Sequence, residues 1–192
     1  MIAILKYSAG NIKSVQNALN RLGYKSIITD NPAELLNADK VIFPGVGEAS
    51  SAMQYLKERG LDKTIISLKQ PVLGICLGLQ LMCRYSEEGD TDCLGIFDSN
   101  VRLFPPTDKI PHMGWNNFLT MNGDLLKGVA LEDDLYYVHS YYAEISSCTS
   151  ATCNYILPFS AAMQSKNFYA TQFHPEKSAG VGEMILQNFL KL

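Results

Sequence analysis

The sequence contains no run of about 18 apolar residues, so no segment reads as a membrane-crossing helix. Excess positive charge is also missing. The 16 Lys and Arg stand against 19 Asp and Glu, a formal net charge of −3, which leaves no electrostatic footprint for nucleic acid. The first six residues lack the length and basic start of a secretory leader and read as a first strand. Cysteine occurs five times, at Cys76, Cys83, Cys93, Cys148 and Cys153, an odd number in a chain of 192 residues. A disulfide framework is therefore not expected, and a cytoplasmic location is. There is no C-x-x-C pair, so no metal site is expected. Neither G-x-G-x-x-G nor G-x-x-x-x-G-K-[ST] occurs, which removes two phosphate-cradling signatures. Repeats, linkers and low-complexity stretches are absent too, and residues 1–192 are expected to form a single domain without a cofactor.

The hydrophobic pattern predicts strands at 1–7, 25–29, 39–43 and 70–75. They alternate with helices at 12–22, 32–36, 48–57 and 61–69. Asn31-Pro32 supplies a helix cap followed by Pro at the first position, and Gly23 suits the residue just past a helix end. This alternation is that of an α/β protein, a parallel sheet flanked by helices. Beyond Leu94 the pattern changes to an added antiparallel section. Short strands are expected over 94–104, a strong strand over 135–142, a pair at 151–157 and 160–164, and a strand at 168–173. A helix over 178–192 closes the chain, with Val181, Met184, Ile185 and Phe189 on its inner side.

The chain turns on Gly74-Ile75-Cys76-Leu77-Gly78-Leu79-Gln80. An apolar strand runs into it and long unbranched side chains run out of it as a helix. Cys76 stands at the join with a glycine two residues to either side, the thiol version of a nucleophile elbow. A helix N-terminus favours the thiolate, the reactive form. A small buried cysteine ending a Rossmann-like strand would look the same, so the elbow is a modest signal alone. Two further stretches add to it. Pro44-Gly45-Val46-Gly47 follows the third strand, and its glycines let backbone N–H groups, that of Gly47 among them, turn toward a developing oxyanion. Glu88, in the acidic stretch 86–90, is close enough in sequence to reach over the same crevice and hold a substrate ammonium.

A thiolate needs a group to manage its proton, and the imidazole that does so needs an acid to orient it. His174 and Glu176, in Phe173-His174-Pro175-Glu176-Lys177-Ser178, supply both, with Pro175 expected to keep the backbone extended between them. An exposed histidine ahead of a last helix would also fit that stretch by itself. With the elbow present, the expected catalytic set is Cys76, His174 and Glu176.

These three stretches, G-I-C-L-G-L-Q, P-G-V-G and Q-F-H-P-E-K-S, resemble the class I glutamine amidotransferases of the Cys-His-Glu type, over nearly the whole chain and in the expected order. Pro111-His112-Met113-Gly114-Trp115-Asn116 and Tyr137-Val138-His139-Ser140-Tyr141-Tyr142 are most similar to the glutaminase subunits of imidazole glycerol phosphate synthases within that family. Two stretches depart from the pattern. Lys6 and Ser8 stand where such subunits have Asp and Gly, and Asn154-Tyr155-Ile156 stands where Asp-Tyr-Gly is common. The resemblance implies a flavodoxin-like sheet and hydrolysis of L-glutamine through a Cys76 thioester. It implies oxyanion donors at Leu77 and the Gly47 loop, and contacts from Gln80, Glu88, Ser140 and Tyr141 to the ends of glutamine. It also implies a heterodimer with a (β/α)8-barrel cyclase that receives the ammonia, with Asn11, Met113, Trp115 and Lys177 as contact candidates. The same triad also suits a glutaminase feeding another synthase, such as a surface-sugar amidation enzyme, or a stand-alone γ-glutamyl hydrolase.

Overall fold

The computed structural model describes residues 1–7 and 10–192; Ser8 and Ala9 lie outside the described residues. The first half runs β1 (Ile2–Leu5), α1 (Ile12–Arg21), β2 (Ser26–Thr29), α2 (Pro32–Asn37), β3 (Lys40–Phe43), α3 (Ala49–Glu58), α4 (Leu61–Ser67), β4 (Val72–Ile75) and α5 (Leu77–Met82). The second half is mostly strand: β5 (Tyr85–Ser86), β6 (Thr91–Asp92), β7 (Asn100–Leu103), β8 (His112–Asn116), β9 (Thr120–Met121), β10 (Leu135–His139), β11 (Tyr141–Ala143), β12 (Thr149–Tyr155), β13 (Leu157–Ser165) and β14 (Phe168–Thr171), closed by α6 (Ala179–Lys191). Single 3-10 turns lie at Asp124–Leu126 and Pro175–Lys177.

The main sheet has the order β2-β1-β3-β4-β14-β13-β12-β9. Its first five strands are parallel, the rest antiparallel. The order 2-1-3-4 followed by a fifth parallel strand is the flavodoxin-like arrangement. The inner strands β1, β3 and β4 are largely apolar because both sheet faces are covered there. Ala3, Leu5, Val41, Phe43 and Val72 pack to one side, and Ile2, Ile4, Ile42, Leu73 and Ile75 to the other. Each fully buried Leu, Ile or Phe contributes about 1.5–3 kcal/mol relative to exposure.

Local signals did what their chemistry suggests. The Asn31 side chain accepts from the Ala33 N–H. α1 ends with Gly23 in the left-handed region, Tyr24 N–H bonding to Leu19 O and Gly23 N–H to Asn20 O, the paired closure of a Schellman end.

Other expectations change. The strand expected over 135–142 is two strands in different sheets, because Ser140 interrupts it: β10 pairs with β8, while β11 pairs with β7. Within 94–104 only Asn100–Leu103 is strand, and β8 was not expected at all. Pro175 opens a 3-10 turn instead of an extended link, so His174 and Glu176 come together around a corner. In α6, Met184 is exposed and the inner face runs through Gly182, Ile185, Leu186, Phe189 and Leu190.

Candidate active site

An open α/β sheet places its ligand crevice beyond the carboxyl ends of the strands, where the strand order reverses. Here β1 and β3 diverge at that point. Asn11 follows β1, Pro44 to Gly47 follow β3, Cys76 follows β4, and Gln172 and His174 follow β14. Topology alone therefore gathers residues up to 163 positions apart at one edge.

Cys76 caps α5 with φ 52 and ψ −104, a strained turn for a residue with a side chain. The strain is held by packing on both sides of the turn. Cys76 N–H donates to Thr171 O at 2.7 Å. A Cβ at Gly78 would collide with the Phe43 carbonyl, so only glycine lets α5 lie against β3. The sulfur opens on a cleft of about 260 Å³ lined by Val46, Gly47, Leu77, Gln80, Glu88 and, from the antiparallel section, Pro111 and residues 138–141. All six residues expected to touch substrate or oxyanion thus line this one cleft.

His174 is fully buried and does not open on the cleft. Its backbone is pinned on both sides: N–H to Tyr136 O at 2.9 Å, and its carbonyl accepting from Ser178 Oγ at 2.7 Å. Nδ1 lies 2.7 Å from Glu176 Oε1, which leaves Nε2 without a hydrogen-bond partner. Burial works to strip this imidazole of its proton. It is outweighed by Cys76 and Glu176, and the pKa is raised to about 10. The coupling to the sulfur is one of charge and proximity, since Nε2 makes no bond of hydrogen-bonding geometry. Asn11, expected to contact a partner, donates its amide to Glu176 Oε1 and lies 3.5 Å from His174 Nδ1. It buttresses the acid, and consequently α1 starts without a side-chain cap.

Leu77 N–H, an expected oxyanion donor, bonds to Gly45 O at 3.2 Å in this structure. A substrate oxygen would have to take that carbonyl's place. Tyr7 OH donates to Pro44 O at 2.6 Å and Gly10 N–H to Val46 O at 2.9 Å, so the P-G-V-G loop is tied to the segment after β1. Across the cleft, half-buried Glu88 accepts from Ala49 N–H at the start of α3 at 2.8 Å, and burial raises its pKa. Gln80 donates to the Tyr141 carbonyl at 2.9 Å.

Met113 and Trp115 are 60% and 56% exposed. They share a face of the β8–β10 ribbon with Val138 and Tyr136. Trp115 meets the Tyr136 ring at 5.8 Å, and Lys177 Nζ lies 5.6 Å from that ring's centre. Val138 also lines the cleft, so this exposed apolar face adjoins the site. Sequence reasoning missed Gln172, Pro111 and the His112–His139 pair. For Gln172 a signal existed: side chains two apart on an extended segment share a side, which places Gln172 with His174. Among the described residues, no group of three or more His, Cys, Asp or Glu could hold a metal ion. No helix there is long and apolar enough to cross a membrane.

A cysteine on a strained strand-to-helix turn, backed by a buried His–Glu pair beside a small cleft, defines a thiol hydrolase of the nucleophile-elbow kind. The chain belongs to the class-I glutamine amidotransferase family, whose model matches residues 3–192. It is 57% identical over 194 residues to the imidazole glycerol phosphate synthase subunit HisH of Bacteroides fragilis, covering 100% of this chain and 99% of that protein. It is 46% identical to the HisH subunit of Pasteurella multocida, covering 99% and 97%. In fold it is similar to the crystal structure of a glutamine amidotransferase, 15% identical, with a TM-score of 0.75 over 99% of this chain and 97% of that one.

Proposed function

We propose that this chain is the glutaminase subunit of an imidazole glycerol phosphate synthase, acting in histidine biosynthesis. The observation that carries the reading is that Cys76 opens on the cleft while the His174–Glu176 pair lies buried behind it, with the Cys76 charge raising His174, in a chain whose full-length relatives bear that name.

L-Glutamine lies in the cleft with its ammonium toward Glu88 and its carboxylate toward Ser140 and Tyr141. Gln80 frames this end by holding the Tyr141 carbonyl. The Cys76 thiolate attacks the side-chain amide carbon. Backbone N–H groups of Leu77 and the Gly47 loop stabilise the oxyanion, once the Gly45 carbonyl releases Leu77; one such donor is worth about 2.7–4 kcal/mol. The His174 imidazolium gives its proton to the departing nitrogen, ammonia leaves, and a γ-glutamyl thioester remains. Water attacks the thioester while neutral His174 takes its proton; glutamate leaves and the thiolate–imidazolium pair is restored. Glu176 holds the ring in the tautomer that keeps Nε2 toward the sulfur.

Ammonia released into water would be protonated, so it passes to a (β/α)8-barrel cyclase in a heterodimer. There it joins a phosphoribulosyl formimino carboxamide nucleotide to give imidazole glycerol phosphate and an aminoimidazole carboxamide ribotide. The exposed face of Met113, Trp115, Tyr136 and Lys177 suits the docking of such a partner, since Trp and Met anchor interfaces well. The test is a glutamine hydrolysis assay with and without the cyclase and its nucleotide. Slow hydrolysis alone and strong stimulation by both is the expected result. Full-rate turnover by the chain alone would remove the gating and leave a stand-alone γ-glutamyl hydrolase.

A further inference from the structure

We propose that Gln172 is a further catalytic residue of this site: its side-chain amide donates to the Cys76 sulfur and favours the thiolate. The inference deepens the reading of Cys76 as nucleophile and rests on it.

Gln172 is fully buried, and its Nε2 lies 3.6 Å from Cys76 Sγ. The direction of that amide follows from its neighbours. The Tyr141 carbonyl can only accept, and two donors converge on it: Gln80 Nε2 at 2.9 Å and His139 Nδ1 at 2.7 Å. Gln80 must therefore turn its nitrogen inward. Its second N–H then faces Gln172 Oε1 at 3.1 Å. An oxygen committed to Gln80 leaves only the NH2 end of Gln172 for the sulfur. Flipping Gln172 would set its nitrogen against the Gln80 nitrogen and its oxygen against the sulfur, breaking both contacts. His139 is locked in the same way. Donating from Nδ1, it must accept at Nε2, where His112 Nδ1 lies at 2.9 Å, and Asn116 Nδ2 lies 3.3 Å from His112 Nε2. A single assignment of protons satisfies the whole chain of contacts.

A neutral thiol is a weak acceptor, whereas a thiolate takes a charge-assisted hydrogen bond. An amide held at the sulfur and buried from water therefore discriminates between the two forms. Its opponent is the Val138 carbonyl, 3.9 Å from Sγ, which can accept from the thiol. The other ionisable groups near the sulfur are His174 with Glu176 behind it, the Tyr7 phenol, whose pKa burial and the Cys76 charge raise, Glu88 across the cleft, and His139. Gln172 differs from all of them in carrying no charge, so its contribution does not change with pH. Nor does it line the cleft; its loss frees one N–H of Gln80, whose bond to the Tyr141 carbonyl stays.

The test is the pH dependence of Cys76 alkylation by iodoacetamide, read at the Cys76 peptide by mass spectrometry, in the full chain and in Gln172→Met and Gln172→Glu. The apparent ionisation of Cys76 is expected to move up by about one to two pH units in Gln172→Met and further in Gln172→Glu, which sets an acceptor against the sulfur. For glutamine hydrolysis in the complex with the cyclase, kcat falls about tenfold or more in Gln172→Met while KM holds. A Gln172→Met profile that superimposes on the wild type overturns the proposal. Should both variants fail to fold, Gln80→Met, which removes the anchor of the amide, is expected to give a smaller shift in the same direction, and no shift overturns the proposal. A Gln172-dependent profile with iodoacetamide, in a wild-type protein whose Cys76 ignores a glutamine-mimicking electrophile, upholds the amide's role while removing the glutaminase reading.

Discussion

His174 and the pair His112–His139 are the only histidines in the chain, and all are buried near one cleft. Their chemistry is nonetheless opposite. His174 faces Glu176 and Cys76, which overcome burial and raise it to about 10. His112 and His139 face each other, a carbonyl and aromatic rings. Burial lowers them to about 4 and about 3. His112 lies stacked between Tyr155 and Tyr137, with ring centres 4.1 and 4.9 Å away. Burial is common to both regions, so it does not decide the protonation state; a counter-charge does. One region keeps its ring protonated, and the other keeps neutral rings, of which His139 holds the Tyr141 carbonyl.

The sharpest way to break the contrast is Glu176→Gln. It removes the carboxylate charge and leaves the shape, so His174 should titrate below about 10, with Cys76, the larger raising cause, still in place. Glutamine turnover should fall on the order of 10³–10⁴-fold. Histidine NMR titration and steady-state kinetics check both parts, and an unchanged rate would show that Glu176 does not orient the ring.

Next comes the dependence of stability on pH. The stabilisation carried by His174 is complete below about 6.5 and is lost as pH rises toward about 10. His112 and His139 work the other way. Their unfolded forms take up protons that the folded forms refuse, so stability falls as pH drops from about 6.5 toward 4 and 3. The upper limit is about 1.4 kcal/mol per pH unit for each ring. Denaturant midpoints between pH 7 and 5 should decline steeply for the wild type and less for His112→Asn, which keeps a donor near the Nδ1 position and cannot titrate. Equal declines would show that the pair is not what acid attacks.

The smallest effect is expected at Ile156. This β-branched residue takes φ 61 between β12 and β13, in the left-handed region that favours glycine. Ile156→Gly should stabilise the fold by about 1 kcal/mol. The adjoining Tyr155 carries the stack on His112. A loss of stability in this variant would mean that the strained turn is needed to seat that ring, and a thermal melt distinguishes the two outcomes.

Legibility in the sequence followed the range of the interactions. The elbow, the Asn31 cap, Gly23 and the alternation of strand and helix rest on neighbours within a few residues, and they were readable. The split at Ser140 was not, because 135–142 reads as one β-prone, tyrosine-rich run and only its pairing with β8 and β7 divides it. Asn11 was expected as a partner contact, and only the fold brings Glu176 to it. Gln172 read as part of a motif, without a partner of its own, because its bonds go to residues 80 and 76.

Residue order alone determined the kind of chemistry: a sulfur at a turn with no room for side chains on either flank, a base and an acid two positions apart, and an alternation that must form a parallel sheet. These are consequences of local sterics and hydrophobic period. The tertiary structure alone decided which groups lie together: His174 against Glu176, Gln172 against Cys76 and Gln80, the paired rings of His112 and His139, and the apolar face beside the cleft. Each depends on burial and on partners far away in the chain, which no local pattern encodes.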